Sequence, residues 1–159
     1  MYHARCRLPS RGKVMRRFLL AIGLSLLAAS ASASAAADWV VTAAWIPLLP
    51  PPARMQAGYA TLRNDSASDL VIVAASSAEF ASVSLHQSRI EDGVAQMSPL
   101  AAVTIPAHGS FRFEPGAAHL MLMGPKQAFA SGDQVQIEFE LQDGRRLPVA
   151  FTVGSRPTP

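Results

Sequence analysis

Histidines and methionines recur at defined spacings in the second half of this sequence, and their chemistry stands out. His86 is followed after ten residues by Met97, and after a further twenty-one residues by His119 and Met121. Imidazole nitrogens and thioether sulfurs are ligands for a soft ion, and this set favours Cu(I) over Zn(II). A thioether binds without losing a proton, whereas each imidazole must be neutral. Binding should therefore weaken as the pH falls through about 6.5.

Each of these residues also has an ordinary explanation. A methionine in a β-rich protein most often fills a gap in the core, and a single histidine is more often a surface or capping residue. The metal hypothesis depends on four residues that agree in type, in the face of the strand they occupy and in proximity. We infer that proximity from the strands that must carry them.

The dipeptide Asp92-Gly93 predicts the two-residue turn of a β-hairpin. Such a turn pairs Ser88 with Met97 and His86 with Pro99. Met97 is then a diagonal neighbour of His86, about 7–8 Å away and within reach of long side chains. Both side chains point to the same side of the hairpin.

The segment from residue 119 to residue 123 alternates leucine with His and Met. In a strand, alternate side chains point to opposite faces. We predict that Leu120 and Leu122 face the core, and that the opposite face carries His119, Met121 and Met123. Met123 is a further thioether on that face, for which packing is the ordinary role and metal transfer the functional one.

Strand and turn signals alternate along the whole chain from residue 38 onward, without a long helical pattern. The clearest is 134–141, where apolar residues alternate with Gln and Glu. We predict strands at residues 39–45, 58–64, 70–75, 82–90, 94–97, 103–105, 110–113, 119–123, 134–141 and 147–153. Many short strands separated by turn formers predict an all-β fold, an antiparallel β-sandwich with Greek-key connections.

The first 37 residues differ from the remainder. Six basic residues accompany an apolar run at 18–27, and small residues such as Ala33-Ser34-Ala35 follow, which is the pattern of a secretory signal peptide. A membrane anchor is the alternative, but the strongly apolar run is short for about 30 Å of hydrocarbon. Met15, before Arg16-Arg17, is a normal position for a signal peptide to begin. Translation could therefore start there, with residues 1–14 an over-extension of the gene model.

We therefore predict a cleaved signal peptide at residues 1–37 and one domain at residues 38–159, with a frayed tail, in the periplasm. Cleavage leaves 8 Lys and Arg against 11 Asp and Glu, a net charge of −3 instead of +3. That charge argues against nucleic acid, which needs a basic surface. We expect no membrane attachment after cleavage, since no cysteine follows the apolar run to accept a lipid.

The only cysteine, Cys6, lies in the segment predicted to be removed. Its loss excludes a cysteine nucleophile, a zinc–thiolate site and the cysteine ligand of a blue-copper centre. No Ser/His/Asp set or catalytic pair of carboxylates stands out either, because turn chemistry accounts for Glu91 and Asp92. We expect a monomer that is not an enzyme.

At its histidines and methionines the sequence resembles the periplasmic copper chaperone family PCu(A)C, also called DUF461. The family signature is a His, ten residues, a Met, twenty-one residues and His-x-Met, and His86, Met97 and His119-Leu120-Met121 match every spacing. Flanking segments such as 58–62 and 113–116 agree as well. The resemblance covers nearly all of residues 38–153.

The resemblance implies a cupredoxin-like β-sandwich that binds one Cu(I) per chain near its surface. The implied ligands are His86, Met97, His119 and Met121. It further implies delivery to the CuA or CuB centre of a terminal cytochrome oxidase, with an oxidase subunit or a Sco-type thiol chaperone as the acceptor. A copper-scavenging or tolerance protein and a metal-free interaction module are the alternatives.

Two features depart from the family pattern. Some members carry a His- and Met-rich C-terminal extension for a second copper, and residues 155–159 contain neither residue. The segment 45–52 is more apolar than usual, which predicts either a packed lid or a docking patch. His108 lies in a predicted turn, and we do not count it as a ligand.

Overall fold

A computed structural model of the chain describes residues 39–50 and 52–157, and every described element of regular structure is a β-strand. The predicted signal peptide lies outside the described residues. The strands are β1 (Trp39–Ile46), β2 (Met55–Asn64), β3 (Leu70–Ser76), β4 (Phe80–Glu91), β5 (Val94–Pro99), β6 (Val103–Ile105), β7 (Ser110–Phe113), β8 (Ala118–Pro125), β9 (Gln134–Leu141) and β10 (Arg146–Val153). The prediction of an all-β fold is confirmed, and no helix that could span a membrane is found in this part of the chain.

The strand bounds agree closely with those predicted, and β2 shows the largest difference. It begins at Met55, three residues before the expected start at Gly58. Prolines at 50–52 and Arg54 offer no strand signal, so local sequence does not extend the strand backwards. Pairing with β8 does so, because Met55 and Gln56 each face a residue of that strand.

The strands form one closed sheet in the order β5-β4-β8-β2-β1-β10-β9-β3-β6. A pairing of Ala75 on β3 with Val83 on β4, the second strand from each end of this order, closes the sheet. β8 and β7 share one edge of β2, β8 along its first half and β7 along its second. Only β1 and β10 run parallel among the described pairings, so the predicted antiparallel character holds elsewhere.

The core is filled by the inward-facing side chains of every described strand except β5, whose six residues are all exposed. On β9, Val135, Ile137, Phe139 and Leu141 are buried as predicted, while the Gln and Glu residues between them face outward or are partly covered. On β4 and β8, the side chains of Leu85, Leu120 and Leu122 are 0–4% exposed. Full burial of each leucine is worth about 1.5–3 kcal/mol. The core therefore holds the backbone of both strands, and with it the direction of the intervening side chains.

Gly58 allows β2 to lie close to β8 at this point of the core. A Cβ atom at Gly58 would lie 3.3 Å from the Cβ of Leu120 and 3.4 Å from its Cδ1. Leu120 stands between His119 and Met121 in the chain. Any displacement of Leu120 would therefore move both of these neighbours.

We expect Gly58→Val to lower the free energy of unfolding by about 1–3 kcal/mol, the usual cost of overpacking a core. Urea denaturation followed by circular dichroism measures it. Ala57→Val is the matched control, since Ala57 lies on the outer face, and we expect it to retain wild-type stability. Equal stability of the two variants would show that β2 and β8 have room for a larger side chain.

Candidate metal centre

His86 on β4 lies directly opposite His119 on β8. Their ring centroids are 6.0 Å apart, and the ring planes make an angle of 35°. An imidazole nitrogen lies about 2.0 Å from a bound first-row metal ion, so two rings on one ion have centroids roughly 5–6 Å apart. The two rings thus have a separation that suits a single ion between them.

The predicted alternation of β8 is confirmed by the burial of its side chains. Leu120 and Leu122 are fully buried, whereas Met121 and Met123 are half-buried on the other face. His119 shares that face but is only 6% exposed. The outer face of β8 therefore presents one imidazole and two thioethers in a row.

His119 is oriented by a hydrogen bond to the backbone. Its Nδ1 lies 3.1 Å from the carbonyl oxygen of Ala117. A carbonyl oxygen can only accept, so Nδ1 carries the proton and Nε2 keeps its lone pair. Metal-binding histidines are commonly held by such a bond from the second ring nitrogen.

His86 has a buried ring nitrogen without a hydrogen-bond partner. Its Nδ1 and the Oε1 of Gln56 are the two buried side-chain polar atoms in this situation among the described residues. An unsatisfied buried polar atom costs about 1–3 kcal/mol, and a metal ion would satisfy this nitrogen. The donor set of the site therefore fits a bound cation.

The pKa of His86 is lowered from its ordinary value of 6.5, first by burial and second by the positive charge that His119 can carry. Both effects disfavour the imidazolium. His86 is consequently neutral at pH 7, which is the form that binds a metal.

In the metal-free protein we expect the NMR titration of the His86 ring to have its midpoint below pH 6.5. The unfolded chain then binds more protons than the folded one between the lowered pKa and 6.5, so stability decreases as the pH falls through that window. In His119→Gln, the midpoint should rise but stay below 6.5, because burial is the larger cause. A midpoint at or above 6.5 in the wild type would contradict this electrostatic account.

The hairpin that carries Met97 has the predicted turn. Asp92 and Gly93 have φ values of 52° and 78°, the left-handed conformations of a type I′ turn. Ser88 pairs with Met97 and His86 with Pro99, which is the predicted register. Met97 is 52% exposed, and among the described strands β5 is paired only with β4.

Met121 lies two positions from His119 on β8, opposite Ser84 of β4 and Ala57 of β2. Met97 lies on the other side of the imidazole pair along the strand direction, in the row of Ser88. The register thus brings His86, His119 and Met121 onto neighbouring positions of one face. Met97 approaches this group diagonally from the hairpin and is not adjacent to Met121.

Met55 is a soft side chain on this face that the sequence reasoning missed. It lies directly opposite Met123 and is 49% exposed. Extending the alternation of Tyr59 and Ala57 backwards by two residues would have placed it on the outer face. The prolines before Met55 predicted a loop at that point, so the strand was not extended back to it.

Hard ligands are scarce around these residues. No group of three or more His, Cys, Asp or Glu side chains able to hold a metal occurs in 39–50 and 52–157. His108 lies in an exposed turn between β6 and β7, with a φ of 54°. The candidate ligands themselves are imidazoles and thioethers, whereas Mg²⁺ and Ca²⁺ take oxygen ligands.

The apolar segment that follows β1 lies at the surface. Ile46 is fully buried as the last residue of the strand, but Leu48 and Leu49 are 44% and 40% exposed. Leu49 also lines a groove of about 710 Å³ together with Phe129 and Met123. This exposure does not fit the packed lid and favours the other interpretation, a surface patch.

A family profile described as "Putative lipoprotein LpqE-like" matches residues 40–153. A protein of Leifsonia xyli subsp. xyli, described as "Putative lipoprotein Lxx21020", is 29% identical over 100 residues. That match covers 62% of this chain and 60% of the relative, so the chain spans less than two thirds of that protein.

Solved structures agree with the fold. The solution structure of the Cu(I) form of DR1885 from Deinococcus radiodurans shares 35% identity, covers 80% of this chain and 85% of that one, and has a TM-score of 0.61. The copper-bound PCuAC domain from PmoF2 shares 14% identity, covers 74% and 93%, and has a TM-score of 0.62. The predicted cupredoxin-like β-sandwich is confirmed by these likenesses.

Proposed function

We propose that this chain, which belongs to the LpqE-like or PCu(A)C (DUF461) family of copper chaperones, carries Cu(I) outside the cytoplasm and is not an enzyme. The observation that carries the proposal is the direct pairing of His86 with His119, with outward-facing methionines on both sides of the pair. The Cu(I) form of DR1885, at 35% identity, supports the choice of ion.

In this proposal one Cu(I) is bound by His86, His119, Met97 and Met121. Two imidazoles give the stronger bonds, and two thioethers add soft ligands that exclude harder ions. His86 is already neutral at pH 7 because its pKa is lowered. The hydrogen bond from His119 Nδ1 holds that ring in one tautomer before the ion arrives.

Release proceeds by stepwise ligand exchange, and we infer that Met97 leaves first. Within the part of the chain that the structure describes, its strand β5 is paired along one edge only. All six residues of β5 are exposed, so the side chain of Met97 is accessible to a partner. Met121, in contrast, is held between two strands. Copper remains Cu(I) throughout, and an acceptor with cysteine thiolates binds it more tightly than thioethers do, so transfer is favourable.

We expect the purified protein to retain one tightly bound Cu(I) under anaerobic conditions. His119→Ala/Met121→Ala should lower the affinity by more than about 100-fold, since loss of a partner outside the coordination sphere alone costs about 10–100-fold. Competition with a chromophoric Cu(I) chelator measures both values. A wild type unable to compete with the chelator would refute the proposal and favour a metal-free interaction module.

His108→Ala is the matched control for that experiment. It removes an exposed imidazole in the turn at residues 106–109, between β6 and β7, which pair with β3 and β2. We expect this variant to bind Cu(I) with the wild-type affinity. A comparable loss in the control would mean that binding is not specific to the imidazole pair.

We further propose that the predicted signal peptide directs the protein to the periplasm and that copper goes to the CuA or CuB centre of a terminal oxidase. An oxidase subunit or a Sco-type thiol chaperone would be the acceptor. Export is supported by the basic residues, the apolar run and the small residues before residue 38, and delivery by the signature spacing. Copper scavenging without a dedicated acceptor is the second candidate, and it uses the same site.

Deletion of the gene distinguishes delivery from scavenging. For delivery, we expect oxidase activity to fall under copper limitation and to recover when copper is added. Expression of the wild-type protein should restore activity, whereas the His119→Ala/Met121→Ala variant should not. Normal oxidase activity together with sensitivity to excess copper would instead identify a scavenging protein.

A further inference from the structure

The methionines of the folded domain are distributed unusually. All four methionines within the described residues lie on the outer face of β2, β5 and β8, and none belongs to the buried core. Methionine is ordinarily among the residues most often buried and serves as a core filler. Only Met97 and Met121 are accounted for by the proposed site, which leaves Met55 and Met123.

Met55 and Met123 face each other directly across β2 and β8. Side chains opposed in this way have Cβ atoms about 4.5–5.5 Å apart, and diagonal neighbours lie about 7–8 Å apart. Their sulfur atoms can therefore bind one ion together. Met121 is the diagonal neighbour of Met55 and lies two residues from Met123, so a third thioether is within reach.

The neighbouring side chains leave the sulfur atoms accessible. Met123 has Ser82 opposite it on β4, and Met121 has Ser84 opposite it. Both serines are small, and Ser82 is exposed. Met55 itself is 49% exposed, so an ion could reach this cluster from solvent.

We propose that Met55 and Met123 form a second Cu(I) site, next to the imidazole pair, with Met121 shared between the two sites. The second site would bind a soft monovalent d¹⁰ ion, because its side chains offer only uncharged thioethers. It is weaker than the first site because it lacks imidazoles. Its role as a position through which copper enters or leaves the imidazole pair rests on the proposed function, whereas its capacity to bind does not.

Movement between the two sites requires only exchange of ligands. Met121 stays bound while the ion leaves the imidazoles and takes up Met123 and Met55, and the copper remains Cu(I). When the first site is full, Met121 is engaged there, and the second site then has two thioethers. An apolar contact surface for a partner protein is the competing explanation for Met55, and the experiment distinguishes it.

The test uses Ag(I), a soft ion that does not change oxidation state, and the variant His86→Ala/His119→Ala, which lacks both imidazoles. We expect this variant to bind one Ag(I) by isothermal titration calorimetry. With ¹³C-methyl-labelled methionine, the methyl signals of Met55, Met121 and Met123 should shift, while that of Met97 stays in place. Adding Met55→Leu and Met123→Leu should then abolish the binding.

The control adds Met97→Leu to the variant that lacks both imidazoles, and we expect it to bind Ag(I) unchanged. Two results would overturn the inference. One is that His86→Ala/His119→Ala binds no Ag(I). The other is that Ag(I) shifts the methyl signal of Met97 and leaves those of Met55 and Met123 in place. The first would leave an apolar contact surface as the remaining explanation for the exposure of Met55. Neither result contradicts the proposed function if the wild type still binds Cu(I). Conversely, loss of Cu(I) binding at the imidazole pair alone would not contradict the methionine site.

Discussion

The antiparallel register between β4 and β8 is the constraint on which the site depends. It sets His86 opposite His119 and Ser84 opposite Met121, so the positions of three soft side chains follow from one pattern of backbone hydrogen bonds. The register in turn is maintained by Leu85 and Leu120, which are opposed on the inner face and buried. A shift of one residue would expose these leucines and bury the imidazoles, at a cost of several apolar side chains.

Local signals in the sequence were sufficient for much of this arrangement. The turn at Asp92-Gly93 determines the register of β4 with β5, because a two-residue loop leaves one pairing. The alternation of leucine with His and Met assigns faces on β8. Both inferences use only residues close together in the chain.

Other parts of the site could not be inferred in this way. The pairing of β4 with β8 joins residues more than thirty positions apart in sequence, for example His86 with His119, and no turn specifies it. The family signature associated the two histidines without explaining their contact. Met55 was not predicted to lie on a strand, because the residues before Gly58 have no local strand signal. Pairing with β8 extends β2 to include it. The parallel contact of β1 with β10 likewise has no local signal.

The site combines a rigid part with an accessible part. The imidazoles project from strands whose inner faces are packed in the core, and one ring is further held by the carbonyl of Ala117. The thioether of Met97, the proposed ligand from the hairpin, lies on β5, and all six residues of that strand are exposed. A carrier must hold its ion selectively and still allow a partner to compete for it. Here β4 and β8 meet the first requirement, and β5 meets the second.

The alternation along β8 has a consequence for how this protein can change during evolution. Substitutions can modify one proposed ligand at a time, but an insertion or deletion of a single residue between His119 and Met123 would exchange inner and outer side chains for the rest of the strand. Such a change would place a thioether in the core and a leucine at the surface together. The length of this strand should therefore vary far less among descendants than the identity of its individual residues.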